Sequence, residues 1–374
     1  MWKTISSTGL LWVVLCISAL AADESTDYQI ETVTDNLVLP YGIAFLPGGD
    51  MLVTEKPGRL RVIRAGVMMP EPVSGTPEVF TGLEHENQQG GLLDIALHPR
   101  FTENQWVYLS FSEGNDRANT TSVIRGRYRN GQLEDVVKIY TAIPNVPKAI
   151  GYGARLVFLP DETLLIAIGD RFLPREEAQN LASSLGKVLR LKDDGGIPED
   201  NPFINNADAL PEIWTYGHRI IIGMLYDSVS NTVYAHENGP KGGDELNIIE
   251  PGKNYGWPFA GYGLDYSGGY VSPFTSYPGT EQPLTWWTPS PALAGMTICR
   301  GCQWSEWEGN LVVGALAGKK AIRIRLHNGA VTEQQILFEE LDERIRDVRF
   351  GPDGALYILT DNAQGRILKA VPKR

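Results

Sequence analysis

Cysteine is scarce in this sequence, since only three of its 374 residues are of that type. Cys16 lies in an apolar stretch near the N-terminus, and the other two form the pair Cys299 and Cys302 in "TICRGCQW". A zinc site would need a second pair of ligands nearby, and a thioredoxin-like redox site would need a βαβ pattern; neither is present. We therefore expect the pair to form a local disulfide or to remain as two inert thiols.

Several sequence motifs of common enzyme classes are also missing. There is no G-x-G-x-x-G at a strand-to-helix turn, which argues against a nicotinamide cofactor in a Rossmann domain. There is no Walker A sequence, no G-x-S-x-G nucleophile elbow and no histidine pair at zinc spacing on a helix. These absences exclude P-loop nucleotide hydrolysis, serine hydrolysis of the α/β-hydrolase type and helical zinc sites.

Basic residues are too few and too scattered to form a surface for nucleic acid. Lysine and arginine number 33 against 45 acidic residues, which gives a formal net charge of −12. An acidic surface repels the phosphates of nucleic acids and of anionic membranes. We therefore expect neither as a partner.

Long apolar runs are confined to the N-terminus. Lys3 precedes an apolar run of about a dozen residues, and Ala19-Leu20-Ala21 offers a small-residue cleavage site, as in secretory signal peptides. We predict a signal peptide over residues 1–21 and a periplasmic or secreted protein, without stable membrane insertion, whose single domain spans 22–374. The alternative is a retained N-terminal anchor.

One phrase recurs along the remaining chain. It consists of apolar residues, a turn rich in Pro, Gly or Asp, and a strand in which apolar residues alternate, as in "GIAFLPGGDMLVTEKPGRLRVI". Copies start roughly 50 to 70 residues apart, at Gly42, Asp94, Arg155, Gly223, Gly295 and Asp347. Six hairpin units that cannot bury their faces alone predict an all-β, six-bladed β-propeller, because a closed ring removes sheet edges. A β-sandwich pair and a β-helix are the alternatives.

Two segments carry groups suited to ligand binding. The segment "ENGPKGGDELNIIEPGKNYGWP" combines tight turns with the acids Asp244 and Glu245, and hard divalent cations prefer carbonyl and carboxylate oxygens. Alternatively, these acids only cap turns in a rigid loop. In "ERIRDVRFGPDG", Arg344 and Arg346 alternate on one side of a predicted strand, which suits a clamp for carboxylates or phosphates. The alternative is a pair of surface salt bridges.

Five further phrases, all between residues 89 and 258, are the most specific of the chain: "QGGLLDIALHPRF", "LGKVLRLKDDGGIPEDNPF", "EIWTYGHR", "GPKGGDELN" and "NYGWP". In order and spacing they resemble the soluble quinoprotein glucose and aldose-sugar dehydrogenases, the glucose/sorbosone dehydrogenase family. The resemblance implies a six-bladed propeller that carries pyrroloquinoline quinone (PQQ) and Ca²⁺. It implies oxidation of the anomeric hydroxyl of an aldose to a lactone, with electrons passed to an external acceptor.

The resemblance also assigns residues to a site. It implies that the catalytic and cofactor-contacting arginine, which polarises the quinone carbonyl, is Arg219, and that further cofactor contacts come from Gln89, Tyr266, Arg344 and Arg346. It implies that metal is bound by the carbonyls of Gly239 and Pro240, and at a second calcium position by Glu245 and Tyr255.

Four positions depart from the family pattern. The catalytic histidine position is Gly151 in "GYGARLVF", and the asparagine after Arg219 is replaced by Ile220. The cofactor-binding lysine is replaced by Ala317, and the histidine of "EHGP" by Asn238. Lys319 or Lys320 would restore the missing lysine if the loop shifted by two or three residues.

The missing histidine leaves three functional hypotheses open. The first is a PQQ- and calcium-dependent sugar dehydrogenase that uses another base, with His85 and Tyr152 as candidates. The second is a non-catalytic propeller that binds a sugar or a protein partner. The third is a metal-assisted hydrolase such as a lactonase, because a cation alone can polarise a lactone carbonyl.

Overall fold

Six four-stranded antiparallel sheets contain nearly all the regular structure of this chain. The computed structural model describes residues 28–82, 89–172 and 174–373. The sheets confirm the predicted six-bladed β-propeller, and the repeat starts all lie in the first strand of the sheet concerned. The predicted signal peptide and His85 lie outside the described residues.

The first three blades follow each other along the chain. Blade 1 comprises β2 (Pro40–Phe45), β3 (Met51–Glu55), β4 (Arg59–Arg64) and β5 (Val67–Met68). Blade 2 comprises β6 (Leu92–Leu97), β7 (Trp106–Asn115), β8 (Ala118–Arg129) and β9 (Gln132–Thr141). Blade 3 comprises β10 (Gly153–Phe158), β11 (Leu164–Ile168), β12 (Lys187–Leu191) and β13 (Ile213–Tyr216).

The last three blades complete the ring. Blade 4 comprises β14 (Ile221–Asp227), β15 (Thr232–Glu237), β16 (Asp244–Ile249) and β17 (Thr285–Trp287). Blade 5 comprises β18 (Leu293–Ile298), β19 (Leu311–Ala315), β20 (Lys320–His327) and β21 (Ala330–Leu337). Blade 6 comprises β22 (Ile345–Phe350), β23 (Leu356–Thr360), β24 (Gly365–Pro372) and, from the start of the described chain, β1 (Tyr28–Leu37).

Helical structure is limited to short turns in the described residues. They are the α-helical turn α1 (Phe101–Asn104) and three 3₁₀ turns at Arg175–Ala178, Ser305–Trp307 and Glu339–Leu341. No helix in the described ranges has the length and apolar character needed to cross a membrane.

The recurring turn phrase folds in the same way in different blades. In blade 1, Leu46 N–H donates to Asp50 O and Gly49 N–H donates back to Leu46 O. In blade 6, Gly351 N–H donates to Ala355 O, and Gly354 N–H donates to Gly351 O. Gly49 and Gly354 have φ of 89° and 75°, a region that glycine enters without steric cost. The glycines of the repeat therefore close the hairpins between the first two strands of these blades.

The first strand of each blade lies innermost, because these six strands contact one another around the axis. The repeat starts occupy equivalent positions there, and three of them are glycines while the other three are charged. A Cβ on Gly295 would lie 1.7 Å from Asp347 Oδ1, so side chains on neighbouring blades share this space. Arg155 Nη1 lies 2.9 Å from Asp94 Oδ1 and 3.6 Å from Asp347 Oδ2, and all three side chains are fully buried. A buried ion network thus fills the axis of the ring.

The hydrophobic core lies between neighbouring blades. One cluster joins Leu165 and Val188 of blade 3 to Ile221 and Ala235 of blade 4, and another joins blades 1 and 2. Each sheet therefore needs its neighbours to bury its faces, as the repeat predicts. Separately, Cys299 and Cys302 are bonded as a local disulfide after β18, one of the two expected outcomes.

Candidate functional site

The starts of the innermost strands and the ends of the second strands meet on one face of the ring. Chain segments at these points surround a cavity of about 600 Å³, which we call the axial cavity. Tyr41 and Tyr152 enter from innermost-strand starts, whereas Lys56, Asn238 and Asp361 follow the second strands of their blades. Its size lies within the roughly 300–1,000 Å³ of small-molecule sites.

The axial cavity brings together the five residues to which the sequence assigned cofactor contacts. Its wall includes Gln89, Arg219, Tyr266, Arg344 and Arg346, which come from widely separated parts of the chain. Arg219 and Arg346 are buried, while Tyr266 is 56% exposed at the edge of the cavity. The sequence therefore located a single cavity, although the role of each residue in it stays a prediction.

The two arginines of blade 6 share one carboxylate. Arg344 Nη2 lies 2.8 Å from Asp361 Oδ2, and Arg346 Nη2 lies 2.9 Å from Asp361 Oδ1. Burial alone would raise the pKa of Asp361, but Arg346, Lys56 and Arg344 hold that pKa well below its usual range. The pair is therefore salt-bridged inside the cavity wall, and the carboxylate compensates only part of the positive charge.

Lys56 is a cationic wall residue that sequence reasoning missed. It is 7% exposed and borders the axial cavity beside Arg346. Its pKa is lowered to about 8, first by burial and then by the positive charge of Arg346. A signal existed in the repeat, because Lys56 follows "MLVTE" in blade 1 just as Asp361 follows "LYILT" in blade 6.

Arg219 is held in place by carbonyls and aromatic rings. Its Nη1 donates to Asn238 O at 2.6 Å and to Gly239 O at 2.8 Å. Its guanidinium carbon lies 4.7 Å from the ring centre of Phe172, 5.5 Å from that of Trp257 and 6.0 Å from that of Tyr266. Cation–π contacts of this kind stabilise an arginine at a fixed position without neutralising its charge.

The position assigned to the catalytic histidine is filled from another segment. Gly151 has φ of 68°, and a Cβ added to it would lie 2.8 Å from Cδ2 of Phe172. Gln89 also covers this position, because its Oε1 accepts a hydrogen bond from Gly151 N–H at 2.9 Å. Phe172 itself borders the axial cavity and stacks parallel to Tyr266 at 6.1 Å between ring centres. Sequence reasoning missed Phe172. It follows β11, whereas Gly151 precedes β10, so the two residues meet only in the folded blade 3.

Tyr152 borders the cavity with its ring but is not suited to act as a base. Its hydroxyl donates to Asn119 Oδ1 at 2.6 Å, and the Arg171 guanidinium lies over its ring. Burial raises the pKa of Tyr152 to about 12, so the phenol keeps its proton at neutral pH. These contacts favour a packing role for Tyr152, and His85, the other candidate base, lies outside the described residues.

The lysine lost at Ala317 is not replaced by its neighbours. Ala317 and Ile220 both border the axial cavity, so these departures from the family pattern lie at the site itself. Lys319 Nζ donates to Asp342 at 2.9 Å, and Lys320 Nζ lies 3.7 Å from Glu339. Neither lysine belongs to the cavity wall, so the loop shift that would restore the missing lysine is not present in this structure.

A second and much smaller cavity adjoins the first. It measures about 20 Å³, and its wall includes the predicted metal-binding residues Gly239, Pro240, Glu245 and Tyr255. Gly239 and Pro240 border both cavities. A space of this volume holds one water molecule or one ion. We call it the small cavity.

The two adjacent acids at the small cavity have different surroundings. Asp244 accepts hydrogen bonds from Gly239 N–H and Leu293 N–H, so it fixes the loop. Glu245 borders the small cavity, and its pKa is raised well above the usual range, first by burial and then by Glu237. Of the two alternatives left by the sequence, turn capping applies to Asp244, whereas cation binding by Glu245, which faces the small cavity, stays a prediction.

Some oxygen atoms at the small cavity are free to bind a hard cation, and others are already engaged in hydrogen bonds. Asn238 Oδ1 is buried and has no hydrogen-bond partner among the described residues. The Tyr255 hydroxyl, in contrast, already donates to Ile248 O and accepts from Glu250 N–H. Within the described ranges, no group of three or more His, Cys, Asp or Glu side chains is placed to hold a metal ion. A cation here would therefore depend on backbone carbonyls and the amide of Asn238 as well as on Glu245.

Fold and site together define a β-propeller with a cationic ligand cavity at its axis. The chain belongs to the Glucose / Sorbosone dehydrogenase family, whose sequence profile matches residues 37–369. This confirms the family resemblance.

Named relatives match over most of their length. The aldose sugar dehydrogenase of Escherichia coli is 39% identical over 366 residues, which cover 96% of this chain and 97% of that protein. The crystal structure of the soluble E. coli aldose sugar dehydrogenase in the apo-form has a TM-score of 0.88 at 39% identity, covering 92% of this chain and 100% of its own. The PQQ-bound aldose sugar dehydrogenase of Streptomyces coelicolor has a TM-score of 0.73 at 27% identity, covering 92% and 98%.

Proposed function

We propose that this protein is a PQQ-dependent sugar dehydrogenase that acts on the CH–OH group of an aldose and passes electrons to an external acceptor. The observation that carries the proposal is the axial cavity, where five residues assigned to the cofactor meet with an excess of positive charge. PQQ is a planar tricarboxylate, and guanidinium groups bind carboxylates in a bidentate manner. The related Streptomyces coelicolor enzyme, described as PQQ-bound, also supports it.

The chain's own residues have separate roles in this proposal. Arg344 and Arg346 bind the carboxylate end of the cofactor, and Arg219, fixed by its carbonyl and ring contacts, directs positive charge at the reacting end. Tyr266 covers the exposed edge. The bound quinone supplies the two-electron oxidant. In solution an aldose is mainly a cyclic hemiacetal, in which the aldehyde carbon carries the anomeric hydroxyl. Oxidation of that hydroxyl gives a lactone.

The step for which the described residues offer no base is removal of the proton from the sugar hydroxyl. Gly151 offers no side chain, and Tyr152 holds its own proton. General-base help is worth about 10²–10⁴ in rate. Unless His85 supplies it, the proton leaves to water and turnover is slower by about that factor.

The first experiment is a titration of the purified, metal-depleted protein with PQQ, with and without Ca²⁺. Quinone absorbance reports binding, and a dye-linked assay over a panel of aldoses reports turnover. Saturable binding with turnover is the expected result. If PQQ does not bind at any Ca²⁺ concentration, the proposal fails.

We further propose that the small cavity takes Ca²⁺, with Gly239, Pro240 and Glu245 among its ligands. The support is its one-ion volume, the unneutralised carboxyl of Glu245 and the unpartnered oxygen of Asn238. Tyr255 would contribute through its carbonyl, because its hydroxyl is engaged.

A thermal-shift experiment tests the calcium site. Ca²⁺ at 100 times its dissociation constant should stabilise the wild type by about 2.7 kcal/mol. Glu245→Gln should abolish this gain while leaving the metal-free protein at least as stable, because the half-buried Glu245 has no cationic partner among the described residues and lies close to Glu237. An equal Ca²⁺ shift in Glu250→Gln is the matched control. An unchanged shift in Glu245→Gln would place the ion elsewhere.

Export and domain extent also remain proposals. We propose that residues 1–21 are a cleaved signal peptide and that 22–374 form one periplasmic or secreted domain. The N-terminal sequence of the mature protein tests this directly.

One observation favours a second function. Phe172 fills the base position, so the cavity is suited to binding without oxidation. A non-catalytic propeller would bind PQQ or a sugar in the titration above and show no turnover with any aldose. No specific observation favours a hydrolase.

A further inference from the structure

We propose that Lys56 is the third anion-binding side chain of the axial cavity and takes the place of the lysine missing at Ala317. The ligand it serves is a carboxylate-bearing molecule, and only the identity of that molecule as PQQ rests on the proposed function. Lys56 lies in blade 1, whereas Ala317 lies in blade 5, so the positive charge has moved around the cavity wall.

The first argument is that this ammonium group lacks a partner. Lys56 is more than nine-tenths buried and borders the cavity, and its ammonium group makes no hydrogen bond or ion pair within the part of the chain that the structure describes. Buried lysines in a folded protein are nearly always paired. Asp361 is the acid whose charge acts on Lys56, but its carboxylate already forms salt bridges with Arg344 and Arg346.

The second argument is that the backbone holds Lys56 at the cavity. Its N–H donates to Leu39 O, and its carbonyl accepts from Leu92 N–H, which ties blade 1 to blade 2. A Cβ on Gly91 would lie 2.1 Å from Lys56 O, so the neighbouring chain packs tightly against it. The side chain is thus delivered to the cavity by rigid elements.

The third argument is the charge balance. Lys56, Arg344 and Arg346 face the single carboxylate of Asp361, and two positive charges are left uncompensated when Lys56 is protonated. A ligand with two or more carboxylates neutralises them. The other lysines near Ala317 pair with acids away from the cavity.

A bound carboxylate should also change the protonation of Lys56. In the free protein its pKa is about 8, lowered first by burial and then by Arg346, with Asp361 opposing and Arg344 adding to the shift. An added anion favours the charged form and raises this pKa. Ligand binding at pH 8 to 9 should therefore take up a proton, and affinity should fall as pH rises through that range.

The test is calorimetric titration of the wild type, Lys56→Met, Lys56→Arg and Lys319→Met with PQQ, in two buffers of different ionisation enthalpy at pH 8.5. Lys56→Met should bind about ten- to hundredfold more weakly without proton uptake. Lys56→Arg should keep affinity within about threefold and also lose the proton uptake, because arginine is always charged. Lys319→Met, the matched control outside the cavity, should behave as the wild type. Thermal unfolding checks that each variant is folded.

The outcomes separate this inference from the proposed function. If the wild type binds PQQ and folded Lys56→Met binds it equally well, the inference is overturned and the proposed function stands. If the wild type does not bind PQQ, the same four proteins are titrated with a pyridine dicarboxylate. Weaker binding in Lys56→Met alone then supports the inference without the cofactor, and absence of binding to either compound overturns both.

Discussion

Gly151 and Phe172 form one structural unit at the residue scale. The glycine has a left-handed backbone conformation, and the aromatic ring lies where a side chain at 151 would begin. Restoring a histidine therefore needs changes at both positions.

Gly151→His alone should lower stability by about 1–3 kcal/mol, because of the positive φ and the contact with Phe172. It should leave the dye-linked rate unchanged. The double variant Gly151→His/Phe172→Ala should recover part of the stability and increase the rate, by up to about 10²-fold. Phe172→Ala alone is the control, and a rate gain in Gly151→His alone would show that Phe172 does not block the position.

Asp361 should make the protein sensitive to acid. Its folded-state pKa lies below the unfolded value, so its stabilising effect is present above about pH 4 and is lost as pH falls below that value. Asp361→Asn should reduce stability at pH 7 and flatten the loss below pH 4 in a pH series of thermal unfolding. An unchanged acid slope would contradict the ion pairs with Arg344 and Arg346.

At the scale of elements, the sequence predicted well what depends on local pattern. Period-two alternation and the Pro-Gly-Asp turns predicted six hairpins, and alternation predicted that Arg344, just before β22, and Arg346, within it, face the same way, where both pair with Asp361. The contact of Phe172 with Gly151 and the pairing of β1 with β24 depend on residues far apart in sequence, so no local pattern revealed them. Lys56 was missed although its position after β3 matches that of Asp361 after β23 in the repeat, because its contact with the cavity depends on how blades 1 and 6 pack together.

The closure of blade 6 by β1 should carry much of the ring's stability. β1 pairs with β24 from Tyr28, opposite Pro372, to Leu37, opposite Gly365. Tyr28 also packs against Phe338, with ring centres 4.6 Å apart and the rings tilted by 57°, and accepts a hydrogen bond from Phe338 N–H. A chain that starts at residue 38 should lose cooperative thermal unfolding and expose the β24 edge to aggregation. A chain that starts at residue 27 is the control and should match the full mature protein.

At the scale of the whole molecule, the buried ions at the axis tie distant blades together. Arg155 of blade 3 bonds Asp94 of blade 2 and approaches Asp347 of blade 6. Arg155→Met should destabilise the fold by about 3–5 kcal/mol, because the two buried carboxylates would lose their fully buried cation and keep only the partly exposed Arg349, which lies 3.2 Å from Asp347 and 4.0 Å from Asp94. Arg100→Met, which removes an exposed pair with Glu162, should lower stability far less in the same denaturant titration, because solvent screens exposed ion pairs. Equal losses in both variants would contradict the role of the axis.

The buried ions at the axis also determine how substrates reach the cavity of the proposed enzyme. Because Arg155, Asp94 and Asp347 occupy the centre of the ring with fully buried side chains, no ligand passes through that layer to the opposite face. Sugar and electron acceptor must then enter the axial cavity through the same opening on the loop face, one after the other. When the initial rate is measured against sugar concentration at several acceptor concentrations, the double-reciprocal plots should be parallel lines. At high concentration, sugar should inhibit competitively against the acceptor, and the acceptor against sugar.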